Sequence, residues 1–272
     1  MIGEHVIRNG ELIKAEEAVV PVTLREVQYC FCTYESLRVL GGKIVHLDDH
    51  LERLRNSCEG IGLTHPFSYS DISAWVFQLI EADSIQDATM KILVYGGPQA
   101  MCFVMAGKLL AYPDSFYQEG VGVILYHGER LLPSCKTGNL LLNYMAVEEA
   151  KRQGCFEAIL VDRDGEALEG TRSNFYGFRG GRLYTAADRQ VLLGVTRSRV
   201  LKAAAEMGIE VVFQAPSEND LVRGVYDECF ISATSMGAMP VRRLGSLEFH
   251  GPFTRTNGIC ALVRSWELDE NN

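Results

Sequence analysis

Apolar side chains recur along the chain at two spacings, and each change of spacing predicts a change of element. HVIRNGELIK, residues 5–14, carries an Asn9-Gly10 pair between short apolar runs, which predicts a hairpin with a two-residue turn. CTYESLRVLGGKIVHL, 32–47, predicts two further strands turned at Gly41-Gly42. On the first of these Tyr34, Ser36 and Arg38 share one face, because strand side chains alternate. The period then changes: Leu47, Leu51, Leu54, Cys58 and Ile61 recur at helical spacing, with Asp48 as a plausible N-cap and Gly62 as a C-terminal stop. A second helix is predicted from Asp71 to about Ala82, and ATMKILVYGG with MCFVMAGKLLAY predicts a strand pair.

YPDSFYQEG, 112–120, is turn-rich and without periodicity, and it predicts a boundary between a small domain, 1–116, and a larger one, 117–272. Beyond it VGVILYHG predicts a strand and ERLLPSC a loop that delivers Lys136, followed by a helix from about Asn139 to Gln153 closed by Gly154. FEAILVDRDGEALEG predicts a strand pair around Arg163-Asp164-Gly165, with Glu169 ending the second strand. Ser173–Phe178 and Arg182–Tyr184 predict another pair across Gly180-Gly181. A helix near Thr196, a strand after it, a strand in ECFISAT and a C-terminal helix complete an α/β or α+β architecture without internal repeats.

At 272 residues and 47% hydrophobic, the chain can bury the cores of one large or two ordinary domains. Its 26 basic and 35 acidic residues give a net charge of −9, with no basic tract to follow a phosphate backbone, so no nucleic-acid partner is expected. No apolar run approaches the roughly 20 residues of a membrane span, and the start MIGEHVIRNGELIK lacks a signal pattern; a cytoplasmic, soluble protein is expected. The eight cysteines include Cys30 and Cys32 one residue apart but no C-x-x-C pair, and they are expected to be reduced and buried. His46 and His50 lie four apart, yet with the helix starting at Asp48 only His50 is helical, so no metal site is expected.

Four features carry chemistry only in combination. Lys136 and Glu169, taken singly, read as a surface amine and a surface carboxylate, and Arg53 as a guanidinium snorkelling beside a helix stripe. GVTR, Gly194 to Arg197, puts a turn at a helix start, where free N–H groups and the helix dipole attract an anion. An amine, a carboxylate, a cation and an anion-binding helix start together meet the needs of pyridoxal 5'-phosphate: a Schiff-base partner, a proton partner for the ring nitrogen, and a phosphate cup.

HLERL, the lysine of CKTGN, LEGTRSNFYGF, LLGVTR and ISATSMGAMPV occur in an order that resembles the fold-type IV pyridoxal phosphate enzymes, the class IV aminotransferases, over about Val6 to Pro240. That family includes branched-chain aminotransferases, D-amino acid aminotransferases and aminodeoxychorismate lyase. The resemblance implies a small N-terminal α/β domain, a larger C-terminal pseudo-barrel with the cofactor in the cleft between them, and a homodimer. It also implies that Lys136 forms the internal aldimine, that Glu169 meets the pyridine nitrogen, and that Leu192 lies against the ring. Arg53, the backbone of Val195 and Thr196, and the Thr234 side chain would hold the phosphate. The implied activity is transfer of an amino group between an amino acid and a 2-oxo acid. An aminodeoxychorismate-type lyase uses the same amine and is the first alternative; a non-catalytic cofactor-binding protein is the second, and the presence of both Lys136 and Glu169 argues against it. The chain departs from the family where Cys30-Phe31-Cys32 replaces a Gly-rich turn, and where Met90 and Tyr95 stand in place of arginines expected to bind a substrate carboxylate. Tyr29, Tyr34, Arg25, Arg38, Lys91, Arg172 and the backbone near Thr234 and Ser235 are the candidates left for that task.

Overall fold

The structure, a computed structural model, describes residues 1–267. It divides into two units: Met1–Leu110 with Cys135–Asn139, and Ala111–Ser134 with the chain from Leu140 onward.

The first unit is an antiparallel sheet with helices on one face. β1 (His5–Arg8) and β2 (Glu11–Lys14) join through Asn9 and Gly10, both at positive φ, as a tight hairpin requires. The Asn9 side-chain oxygen also accepts the Cys102 N–H at 2.7 Å, tying the turn to the sheet. After the short helix α1 (Arg25–Gln28) come β3 (Cys32–Leu40), β4 (Lys43–Ile44), helices α2 (Leu47–Gly60) and α3 (Tyr69–Ala82), and strands β5 (Ala88–Tyr95) and β6 (Met101–Gly107). The sheet order is β2-β1-β6-β5-β3-β4. Leu37, Val39, Met90, Ile92 and Val94 alternate onto the face packed by Leu51, Leu54, Ile72, Val76 and Leu79 of the two helices. Helix α2 begins at Leu47, not at Asp48: His46, left-handed at φ 53, takes the N-cap place, and Asp48 and Asp49 fall in the first turn, where carboxylates favour the dipole. Helix α3 starts earlier than its apolar period indicates, because Ser68 and Asp71 form a capping box.

The second unit holds a sheet that closes on itself. Its strands are β7 (Val121–His127), β8 (Glu157–Val161), β9 (Ala167–Gly170), β10 (Asn174–Arg179), β11 (Arg182–Thr185), β12 (Val211–Val212), β13 (Glu228–Ala233), β14 (Gly237–Leu244) and β15 (Leu247–Glu248). Its helices are α4 (Asp114–Gln118), α5 (Leu141–Arg152), α6 (Val195–Glu206), α7 (Glu218–Val222) and α8 (Thr254–Glu267). The order β12-β11-β10-β13-β14-β7-β8-β9 becomes a ring because β9 pairs back onto β10, Glu169 opposite Asn174. β7 pairs in parallel with both β14 and β8, and α5 is the crossover that a parallel β7–β8 pair needs. All of β8 is buried, as expected for a strand covered on both faces.

Several elements escape the sequence pattern: the short α1, α7 and β15, and also α4 and β14. Helix α4, inside the segment read as a turn, is too short to show a period; its Phe116 packs edge-on against Phe156 at 5.6 Å. β14 contains Pro240, which cannot donate to a ladder, but pairing with β7 begins only at Val241, so the missing N–H interrupts nothing.

Candidate active site

Lys136 extends the edge of β3. Its N–H donates to Ser57 Oγ at 3.0 Å and its carbonyl accepts the Tyr34 N–H at 3.0 Å. Just after it Thr137 bridges to Thr33, and the Gly138 N–H reaches the Cys32 carbonyl at 2.9 Å. A Cβ at Gly138 would overlap Cys32 Sγ, so only glycine lets the segment lie this close. The Lys136 backbone is thus fixed on both sides, while its Nζ stands 4.5 Å from the centroid of the Tyr34 ring.

Arg53 is not a snorkelling surface residue. Its side chain is 10% exposed, with Nε donating to Glu35 Oε1 at 2.8 Å and Nη2 to Glu35 Oε2 at 2.7 Å. His50 Nδ1 donates to the same Oε2 at 2.7 Å, while His50 Nε2 is buried and without a hydrogen bond. Burial alone would raise the Glu35 pKa, but the Arg53 charge and the hydrogen bonds from Arg53 and His50 win and hold the carboxyl below the ordinary carboxylate range. Burial lowers the His50 pKa against the pull of Glu35, so the imidazole is neutral. Both groups therefore bind fewer protons folded than unfolded: stability is full above the ordinary 6.5 of His50 and 4.5 of Glu35, and is lost as pH falls through and below those values. Melting temperature is expected to fall across this acid range. Glu35→Gln should melt lower at neutral pH, since breaking a buried ion pair costs about 3–5 kcal/mol, and lose part of the decline below 4.5. A parallel downward shift of the whole profile would contradict this account of the slope.

Tyr34 and Arg38 do share a half-buried face of β3, as alternation predicts, and Lys91 of β5 joins them there. Tyr29 does not pack in the core: it is 75% exposed beyond α1, with the Arg25 guanidinium 5.5 Å from its ring. Cys30 is exposed and Cys260 partly so, against the expectation that all eight thiols are buried.

In the second unit Glu169 is 5% exposed. Oε1 accepts Arg130 Nη1 at 3.1 Å and Oε2 accepts the Leu192 N–H at 3.1 Å. Asn174, opposite Glu169 in the ring, donates Nδ2 to the Leu192 carbonyl at 2.9 Å, so Leu192 is gripped at both its backbone groups. Gly194 follows, packed so closely that a Cβ would meet Asn174 Oδ1. Helix α6 then starts without a side-chain cap; its first intrahelical bond is Ser198 N–H to Gly194 C=O at 3.1 Å, which leaves the Val195 and Thr196 N–H groups ahead of the ladder. Buried Arg197 anchors this start to Thr185 Oγ1, the Ala186 carbonyl and Asp188. Thr234 and Ser235 lie in the turn between β13 and β14, closed by Met236 N–H to Ala233 C=O at 3.0 Å. Arg172 sits over the Phe156 ring at 5.0 Å and 3.7 Å from Glu157. Buried Glu157 accepts the Thr171 N–H and hydroxyl and the Ser173 hydroxyl, bracing the turn that joins Glu169 to Asn174.

Sequence reasoning missed Glu35, Arg130, Asn174 and Glu157 as site components. All four lie within quoted segments, but none carries a spacing signal, because their partners are distant in the chain.

Residues 33–244 match the family described as amino-transferase class IV. The chain belongs to that family. Among curated relatives, this class IV aminotransferase is 30% identical over 251 residues to the D-alanine aminotransferase of Bacillus licheniformis, covering 87% of each chain. It is 28% identical over 247 residues to a putative branched-chain-amino-acid aminotransferase of Methanocaldococcus jannaschii, covering 86% of this chain and 85% of the relative. Among solved structures, the branched-chain aminotransferase from Thermoproteus uzoniensis with norvaline superposes with a TM-score of 0.88 at 26% identity, over 98% of this chain and 96% of that one. The mixed α/β fold with its closed, barrel-like sheet is the fold-type IV architecture of those enzymes.

Proposed function

We propose that this class IV aminotransferase transfers the amino group of an amino acid to a 2-oxo acid with pyridoxal 5'-phosphate as its cofactor. The observation that carries the reading is Lys136, a primary amine whose backbone is fixed on both sides by Ser57 and Tyr34. When bound, the cofactor supplies an aldehyde that condenses with amines and a protonated ring that draws electrons from the substrate Cα. Lys136 would hold the cofactor at rest and, once released, would serve as the base that moves the Cα proton. Glu169 keeps the ring nitrogen protonated; its burial and its bonds to Leu192 and Arg130 support a fixed orientation for that task. Arg53, the Val195 and Thr196 N–H groups and the Thr234 hydroxyl would hold the phosphate, and Leu192 would lie against the ring. The uncapped start of α6 and the Arg53 fork oriented by Glu35 suit an anion of this kind.

Tyr29, Tyr34, Arg38, Lys91, Arg172 and Ser235 are the proposed substrate-facing set. The protein is further proposed to be a cytoplasmic homodimer of two-domain chains divided near residue 116. Leu141, Tyr144 and Met145, exposed on one face of α5, support a partner surface. No helix among the described residues is long and apolar enough to cross a membrane.

The direct test is purified protein with added cofactor, a panel of L- and D-amino acids, and pyruvate or 2-oxoglutarate. A new amino acid formed from the acceptor is the expected product. Elimination products without any such transfer would favour the lyase.

A further inference from the structure

The turn that leads into β3 holds two thiols that amino transfer leaves unused. Of the eight cysteines, all among the described residues, Cys30 alone is exposed; Cys32, one residue beyond Phe31, is buried at the start of β3. Cys30 stands at φ 52, a left-handed position that glycine takes freely and that other residues rarely adopt. The Cys32 N–H donates to the Cys30 carbonyl at 2.8 Å and closes a three-residue turn around Phe31. Phe31 is anchored in its turn: its N–H donates to the Glu26 carbonyl at 2.8 Å, and its carbonyl accepts the Gly96 N–H at 3.2 Å.

Two residues of straight chain set Cα atoms about 7 Å apart, and a hydrogen bond from the third residue back to the first shortens that toward the roughly 4.4–6.8 Å that a disulfide spans. Side-chain direction agrees. A Cβ built on Gly138 would meet Cys32 Sγ and come within 3.9 Å of Cys30 Cβ, so both cysteine side chains border the same glycine. Burial and, after it, the Cys30 charge push the Cys32 thiol up to about 11, so at neutral pH Cys32 is protonated and shielded. An oxidant in solution therefore meets Cys30 first and finds a second thiol beside it.

We propose that Cys30 and Cys32 are a reversible oxidation site for peroxides, and that the disulfide they form slows amino transfer. The Cys30 sulfur attacks one oxygen of hydrogen peroxide and the O–O bond breaks, giving a sulfenic acid and water. The Cys32 sulfur then attacks the Cys30 sulfur; the sulfenic hydroxyl leaves with the Cys32 proton as a second water, and the S–S bond forms. The two sulfurs together lose two electrons, one peroxide gains them, and an added dithiol reverses the step by exchange. Bringing the two Sγ atoms to bonding distance moves Cys32 Sγ from its place against Gly138, whose N–H is tied to the Cys32 carbonyl two residues after Lys136. The effect on rate rests on Lys136 being the reacting amine, whereas the disulfide itself does not.

The test treats cofactor-loaded protein with a small excess of hydrogen peroxide, blocks free thiols with iodoacetamide and maps tryptic peptides without reduction. Cleavage after Arg25 and Arg38 releases residues 26–38, which contain Cys30 and Cys32 and no other cysteine. This peptide should appear unalkylated and lighter by two hydrogens, with turnover down at least about tenfold, as a small displacement near a reacting group produces, and restored by dithiothreitol. Cys30→Ser should keep the untreated rate and lose the sensitivity to peroxide. Two alkyl groups on peptide 26–38 after treatment, or Cys30 carried on to a sulfinic acid with Cys32 still free, would overturn the proposal. So would equal inactivation of wild type and Cys30→Ser, or a disulfide that leaves the rate unchanged. A disulfide in peptide 26–38 of a wild type that transfers no amino group even before treatment would sink the functional reading and retain the oxidation site.

Discussion

Lys136→Ala is expected to lower amino transfer by more than about 1,000-fold, because one substitution removes both the proposed attachment amine and the proposed Cα base. The fold should survive. What fixes this segment is backbone: the Lys136 N–H to Ser57, its carbonyl to Tyr34, and the Gly138 N–H to Cys32, none of which needs the lysine side chain. A melting temperature close to wild type with turnover gone is the expected pair of results. Turnover within tenfold of wild type would mean that another amine serves.

Glu169 carries the second large effect, and the choice of substitution decides what is learned. Glu169→Ala would strip acceptors from Arg130 and the Leu192 N–H, mixing a folding defect of about 3–5 kcal/mol with the chemistry. Glu169→Gln keeps one oxygen acceptor and the shape while removing the charge proposed to hold the ring proton. It should lower kcat by about 100- to 1,000-fold, the range seen when one electrostatic contact to a developing charge is lost. Arg53→Ala provides the contrast. It removes a charge-assisted anion contact and also strands buried Glu35, so the melting temperature should fall, cofactor affinity should drop about 10- to 100-fold, and excess cofactor should restore much of the rate of the folded protein. Rescue of both variants to the same extent by added cofactor would erase the distinction between holding the cofactor and using it.

The parts of the molecule legible in the sequence are those set by local rules. The β1–β2 hairpin follows from Asn9-Gly10, and α2 from an apolar stripe ended by Gly62. Strand alternation puts Tyr34 and Arg38 on one face, where the structure has them. What escaped depends on pairing between distant segments. The ring closes through Glu169 opposite Asn174, and β7 runs parallel to two neighbours, neither of which leaves a local period. Pro240 disguises β14 because a proline in a run reads as a break unless the neighbour that would need its N–H is known.

The same division holds within the candidate site. Lys136 and Glu169 stand out as residue types in motif order, but the environment of each is built from elsewhere: Ser57 and Tyr34 around one, Arg130 and Leu192 around the other. Arg53 looks like a surface arginine beside the helix stripe, and only burial of Glu35 beneath α2 turns it into an oriented, charge-paired fork.

The central claim is that one particular amine holds the cofactor. Borohydride reduction of the cofactor-loaded protein, followed by proteolysis and mass spectrometry of the labelled peptide, addresses it directly. The account predicts a single label, on Lys136. A label on Lys91 or Lys151 instead, with Lys136 unmodified, would contradict it.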